Sequence, residues 1–176
     1  ILRKYDNTGT DIVDVLDGTT KVISNFNNGA SNGWTKVDGN GSVSAKLYSG
    51  RTDYRLEITD TSSQYSSTTA RGPGMAVAAG NYAKFSFSYA ESKRTSTDVF
   101  QWQLQKYNAQ TGKWEVVQQG GHPGSAGTIT TKAVGEGQYR FEFLVDDRSS
   151  GWNNNGAYKV YIDDVTMLSS DNPKDW

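Results

Sequence analysis

The chain has 176 residues and a mass of 19.3 kDa, enough for one ordinary domain and crowded for two cores. Lys plus Arg number 18 against 19 Asp plus Glu, a net charge of -1, which excludes the basic field that a dedicated nucleic-acid binder needs. There is no cysteine, so disulfides, zinc-thiolate sites and thiol nucleophiles are excluded as well.

Mean hydropathy is low, -0.68, but aromatic residues make up 12%, and each buries enough area to build a core. No apolar run approaches the ~20 residues of a membrane helix. The opening Ile-Leu-Arg-Lys-Tyr shows no signal-peptide pattern and starts mid-stream, so the chain reads as a segment of a longer protein. Residues 1–19 read as a junction, and the Asp6–Asp11 stretch, which lacks EF-hand spacing and its closing Glu, as a linker turn. Strands are expected near 20–26, 34–37, 42–48, 54–59 and 70–76, with turns at Asn32-Gly33 and Asn40-Gly41. Asn40-Gly41-Ser42 also matches a glycosylation acceptor, read here as chance. Further strands are expected near 82–90, 99–107, 114–119, 128–132, 138–146 and 158–167, with a turn at Thr111-Gly112 and exposed loops over 120–127 and 149–156. Residues 169–176 read as a second linker. About ten short strands and few helical windows predict an all-β fold, a jelly-roll β-sandwich of two antiparallel sheets spanning 20–168.

Period-two alternation divides each long strand into two faces. Tyr54, Leu56 and Ile58 share one face, with Arg55 and Glu57 opposite. Phe85, Phe87 and Tyr89 lie opposite Lys84 and two serines. Phe100, Trp102 and Leu104 oppose Gln101, Gln103, Gln105 and Tyr107. Tyr139, Phe141 and Phe143 oppose Arg140 and Glu142. If these strands share a sheet, Arg55, Glu57, Lys84, Gln101, Gln103, Gln105, Arg140 and Glu142 form one hollow of planar donors and acceptors suited to sugar hydroxyls. An ordinary solvated sheet face is the competing reading. Tyr107, Trp152 and Tyr65 are the candidate stacking platforms. Trp34, Trp102 and Trp114 are read as packing residues, and His122, the only histidine, as exposed in a Gly/Pro loop.

Phe26-Asn27-Asn28-Gly29 followed by Gly33-Trp34, and the closing Val160-Tyr161-Ile162-Asp163-Asp164-Val165, resemble the opening and closing elements of jelly-roll carbohydrate-binding modules. These modules belong to the galactose-binding-like group of β-sandwiches. The resemblance spans roughly residues 22–167. It implies glycan binding on a concave face or at loop tips, and a structural Ca²⁺ held by the opening acidic position and the closing Asp-Asp. Those positions fall on Asn27, where the family usually has Glu, and on Asp163 or Asp164, with Asp53 as a further carboxylate.

The function expected is therefore non-catalytic, lectin-like binding of a polysaccharide or cell-surface glycan. The module would be calcium-stabilised and monomeric within a longer bacterial extracellular or cell-surface protein such as an adhesin or a glycan-active enzyme, with no nucleic-acid partner and no membrane insertion. A structural or protein-binding sandwich of a surface adhesin is the alternative. A glycosidase or polysaccharide lyase using Glu57 and Glu142 is the third reading, and it needs the two carboxylates to flank one bond.

Overall fold

The computed structural model describes residues 4–5, 11–12, 18–60, 67–148, 158–172 and 176. Its strands are β1 (Lys4–Tyr5), β2 (Asp11–Ile12), β3 (Thr19–Ser24), β4 (Thr35–Asp38), β5 (Val43–Ser49), β6 (Asp53–Thr59) and β7 (Thr68–Arg71). They continue as β8 (Met75–Val77), β9 (Tyr82–Ser92), β10 (Val99–Asn108), β11 (Lys113–Gly121), β12 (Ala126–Thr130), β13 (Gly137–Asp146) and β14 (Lys159–Ser170). No helix occurs among the described residues.

Two antiparallel six-stranded sheets form the sandwich. Sheet I runs β11-β10-β13-β7-β4, with β8 also on β13. Sheet II runs β12-β9-β14-β6-β5, with β3 also on β14. The short β1 and β2 pair with each other. The expected strand over 70–76 divides into β7 and β8, because Gly72-Pro73-Gly74 lies between them and proline has no N–H to give a ladder. The expected loop over 120–127 is shorter than the glycines indicated. Gly120 and Gly121 finish β11, and β12 begins at Ala126. A Cβ on Gly120 would come within 2.5 Å of the Trp102 indole, so that glycine lets the edge strand close over a core ring.

The rings that alternation assigned inward do meet between the sheets. Phe85, Phe87, Phe100, Phe141, Phe143, Leu56, Ile58, Val160 and Ile162 are buried. Phe87 meets Phe141 edge-on at 5.3 Å, the T-shaped geometry that aromatic quadrupoles favour. Trp34 stacks on Phe143 at 5.0 Å and gives its indole N–H to Ser24 Oγ. It packs as expected from the sequence, and so does buried Trp102.

The last strand changes partner midway. Residues 159–162 pair with β6 and residues 165–169 with β3. The change occurs at an irregularity between Asp163 and Thr166, where Asp164 takes a left-handed φ of 48° and is exposed. Asp163 is the last regular pair before the break, opposite Ser88, and Asp164 is the residue turned out of the ladder.

Candidate functional site

The sandwich divides the expected hollow between its two sides. Gln101, Gln103, Gln105 and Tyr107 lie on β10, and Arg140 and Glu142 on β13, both in sheet I. Arg55 and Glu57 lie on β6, and Lys84 on β9, both in sheet II. Strand alternation sets these side chains opposite the core rings of their own strands, so the two groups leave opposite outer faces. The single shared hollow does not form. Strand alternation says which way a residue points and not which sheet holds its strand. The same division separates Glu57 from Glu142, which cannot flank one glycosidic bond, so the paired-carboxylate mechanism fails on geometry. Trp152 and Tyr65 lie outside the described residues.

Register builds the sheet I face row by row. Gln119, Gln103, Glu142, Arg71 and Thr35 are cross-strand partners in sequence across five strands. Gln105 pairs with Arg140 in the next row. Beyond it Tyr107 pairs with Trp114 through the β10–β11 hairpin, whose rings are 5.4 Å apart.

The Gln105 amide holds this face together. Its Nε2 donates to Glu142 Oε1 at 2.8 Å and to Gln103 Oε1 at 3.1 Å, while its Oε1 accepts from Arg140 Nε at 2.8 Å. Only 7% of Gln105 is exposed, so these bonds fix its amide with no competition from water. Arg71 Nη2 reaches Glu142 Oε1 at 3.4 Å. The Arg140 guanidinium lies 4.1 Å over the Trp114 ring. Burial, and then the charge of Arg71, lower the Arg140 pKa, with Glu142 opposing. Beside this network is an open recess of about 210 Å³ lined by Thr69, Gln101, Gln103, Glu142 and Leu144. A second recess, of about 360 Å³, lies at the hairpin end against Tyr107, Asn108 and Gln110. Tyr107 is 39% exposed and is the accessible ring of its pair, with Trp114 behind it.

Gln119, Thr35, Trp114, Arg71 and Thr69 belong to this face and were not assigned to it by the sequence reading. Trp114, taken as packing, stands opposite Tyr107 because the 109–112 connection places them in register. Arg71 and Thr69 lie on the short β7, and their signal was the same alternation, since Thr68 and Ala70 are buried between them.

The expected calcium residues part company. Asn27 sits exposed in a turn. Asp53 and Asp163 meet around Arg55 instead. Arg55 Nε is 3.3 Å from Asp53 Oδ1 and 3.9 Å from Asp163 Oδ2, and its guanidinium lies 3.8 Å over the Tyr48 ring. Asp163 Oδ1 is buried without a hydrogen bond. Burial, then the neighbouring Asp164 and Asp53 charges, raise the Asp163 pKa to about 6, against the Asp164 N–H and Arg55. Ca²⁺ takes six to eight oxygen ligands, and among the described residues no three acidic or histidine side chains converge as a metal group. The cation between Asp53 and Asp163 is the Arg55 guanidinium.

His122 is half-buried rather than exposed. Its Nε2 lies 2.8 Å from Glu91 Oε1, and the Tyr89 hydroxyl donates to Glu91 Oε2 at 2.6 Å. The Tyr89 and Tyr158 hydroxyls are 2.9 Å apart, and burial pushes both phenol pKa values up. This cluster ties the β11–β12 connection to β9 and β14.

No protein-family model matches the sequence, and no curated protein matches it. Solved structures do match. The CBM22-1 xylan-binding domain of Paenibacillus barcinonensis Xyn10C aligns over 88% of this chain and 96% of its own, with 12% identity and a TM-score of 0.54. The tandem CBM22-1–CBM22-2 domain of the same enzyme aligns over 84% of this chain and 49% of its own, at 16% identity and a TM-score of 0.56. The CBM22-1–GH10 modules of Clostridium thermocellum Xyn10B, complexed with xylohexaose, align over 85% of this chain and 28% of theirs, at 14% identity and a TM-score of 0.57. At this identity the likeness shows the fold: a β-sandwich of the kind that carbohydrate-binding modules adopt.

Proposed function

We propose that this sandwich, which has the fold of carbohydrate-binding modules, binds a polysaccharide on the outer face of sheet I without chemistry. It would act as a non-catalytic module of a longer extracellular protein. The observation that carries the reading is the fixed network of Gln103, Gln105, Arg140 and Glu142, lying between an open recess and the Tyr107–Trp114 ring pair. Sugar hydroxyls need donors and acceptors at set angles, which amides and guanidinium groups supply. The flat C–H face of a pyranose needs an exposed ring, which Tyr107 supplies. A groove this shallow gives weak single-site affinity, so attachment would rest on several modules or repeats of the glycan. The matched xylan-binding domains support the ligand class.

Calorimetry with xylohexaose, mannohexaose and a panel of longer polysaccharides tests the proposal. Binding by the intact chain, weakened in Tyr107→Ala at unchanged melting temperature, is the expected result. A flat response to every glycan, with the variant indistinguishable, overturns it.

A further inference from the structure

We infer that the glycan held on sheet I is anionic, carrying a uronate carboxylate that bridges Arg71 and Arg140. This rests on the polysaccharide-binding reading and narrows it to a substrate class.

The argument is a count of donors and charges. Two guanidinium groups approach a single carboxylate, Glu142, at 3.4 Å from Arg71 and 3.9 Å from Arg140. The second distance is too long for a hydrogen bond. Each guanidinium carries five N–H donors. Arg71 Nε is buried and meets no acceptor. Arg140 spends its Nε on Gln105. Glu142 Oε1 already accepts from Gln105 at 2.8 Å and from Arg71 at 3.4 Å, and the Arg140 guanidinium stays outside hydrogen-bond distance of it.

Asp38 caps its own Gly39 N–H. Asp146 accepts from Arg148 with one oxygen at 2.7 Å and keeps the other buried without a hydrogen bond, and neither carboxylate is paired with Arg71 or Arg140. The face therefore carries a surplus cation beside a recess, at a place where like charges already repel. A carboxylate accepts two parallel N–H bonds from a guanidinium fork, a match that neutral hydroxyls do not make. The chain as a whole is slightly acidic, so an acidic polymer would be drawn to this spot by local pairing rather than by the overall field.

The experiment is calorimetry on the intact chain with oligogalacturonate, the same oligomer fully methyl-esterified, neutral xylohexaose, and dextran sulfate as a charge control. The acid form should bind at least about tenfold tighter than its ester, the scale of a charge-assisted hydrogen-bonded pair, and the preference should shrink as salt rises. Arg71→Gln should remove the preference, bringing binding of the acid form down to that of its ester. Arg71→Lys, which keeps charge and loses the fork, should retain only part of it. Thermal melts of both variants establish that they fold. Equal binding of acid, ester and neutral sugar overturns this inference and leaves the polysaccharide reading standing. Dextran sulfate binding as tightly as oligogalacturonate, with Arg71→Gln unchanged, also overturns it. No binding to any glycan overturns both.

Discussion

On sheet I the Arg140 guanidinium lies 4.1 Å over Trp114, and on sheet II the Arg55 guanidinium lies 3.8 Å over Tyr48. Each aromatic partner touches a second ring, Tyr107 in the first case and Tyr161, 4.8 Å away, in the second. The surroundings then diverge. Arg55 is flanked by two carboxylates, Asp53 and Asp163, whereas Arg140 shares one carboxylate with Arg71 and leans on an amide. On sheet II one guanidinium thus sits between two carboxylates, while on sheet I two guanidinium groups approach one carboxylate. An arginine stacked on a ring is therefore no mark of a binding site by itself. What separates a structural clasp from a site is whether the protein's own acceptors saturate the guanidinium donors.

Five changes break or sharpen this contrast. The largest effect is expected from Arg55→Met. Removing the clasp leaves Asp53 and Asp163 facing each other without a cation and should cost roughly 2–3 kcal/mol of stability in denaturant melts, with glycan affinity unchanged. If Ca²⁺ rather than Arg55 held this corner, EDTA would lower the melting temperature of the parent chain. We expect EDTA to leave it where it was.

Next is the pH dependence of Asp163. Its folded pKa, about 6, lies above the ordinary carboxyl value of 3.8, so the folded state binds this proton more tightly than the unfolded chain. The group lowers stability fully above about pH 6. That penalty is relieved as pH falls from about 6 to below 4. The gap is worth at most ~3 kcal/mol, with the opposing attraction to Arg55 already contained in it. Asp163→Asn should flatten the stability profile between pH 4 and 6. A profile identical to the parent's would show that Asp163 does not carry the raised pKa.

On sheet I, Glu142→Gln should lower stability by about 1–2 kcal/mol, because two guanidinium groups then share a neutral acceptor. It should also weaken binding of a neutral glycan, which loses a charged acceptor in the recess. Tyr107→Ala removes an exposed ring and should cost about 1 kcal/mol of binding, with no change in melting temperature. The smallest effect is expected from Gln103→Ala, about 0.5–1 kcal/mol of binding, because Gln105 keeps its bonds to Glu142 and Arg140. A Gln103→Ala loss exceeding that of Tyr107→Ala would shift the weight of the site from stacking to hydrogen bonding.

Much of the fold was legible before any coordinates. The inward rings of β9, β10 and β13 and the closing strand follow from alternation alone, and Gly33-Trp34 marked a buried ring that does stack in the core. The site was legible only by halves. Gln101, Gln103, Gln105, Tyr107, Arg140 and Glu142 come together as expected. Arg55, Glu57 and Lys84 do not, although their local pattern was the same. Trp114 was recoverable by counting across the hairpin turn, and Arg71 by extending the alternation into a strand of four residues. His122 was misjudged because its Gly/Pro neighbours resemble a loop tip, while its partner Glu91 is 31 residues away in sequence.

The sequence by itself determined which side chains face the core and which face out, because successive residues of an extended chain leave opposite sides of the backbone. It also set the stock of amides, carboxylates and guanidinium groups. Only the tertiary structure decided which outward residues are neighbours. Arg140 meets Gln105 and Arg55 meets Asp163 through strand pairings far apart along the chain, and such pairings depend on how the whole sandwich closes. The placement of one arginine on the candidate face of sheet I and of the other in the Asp53–Asp163 clasp of sheet II therefore lies in sheet order, which local alternation does not encode.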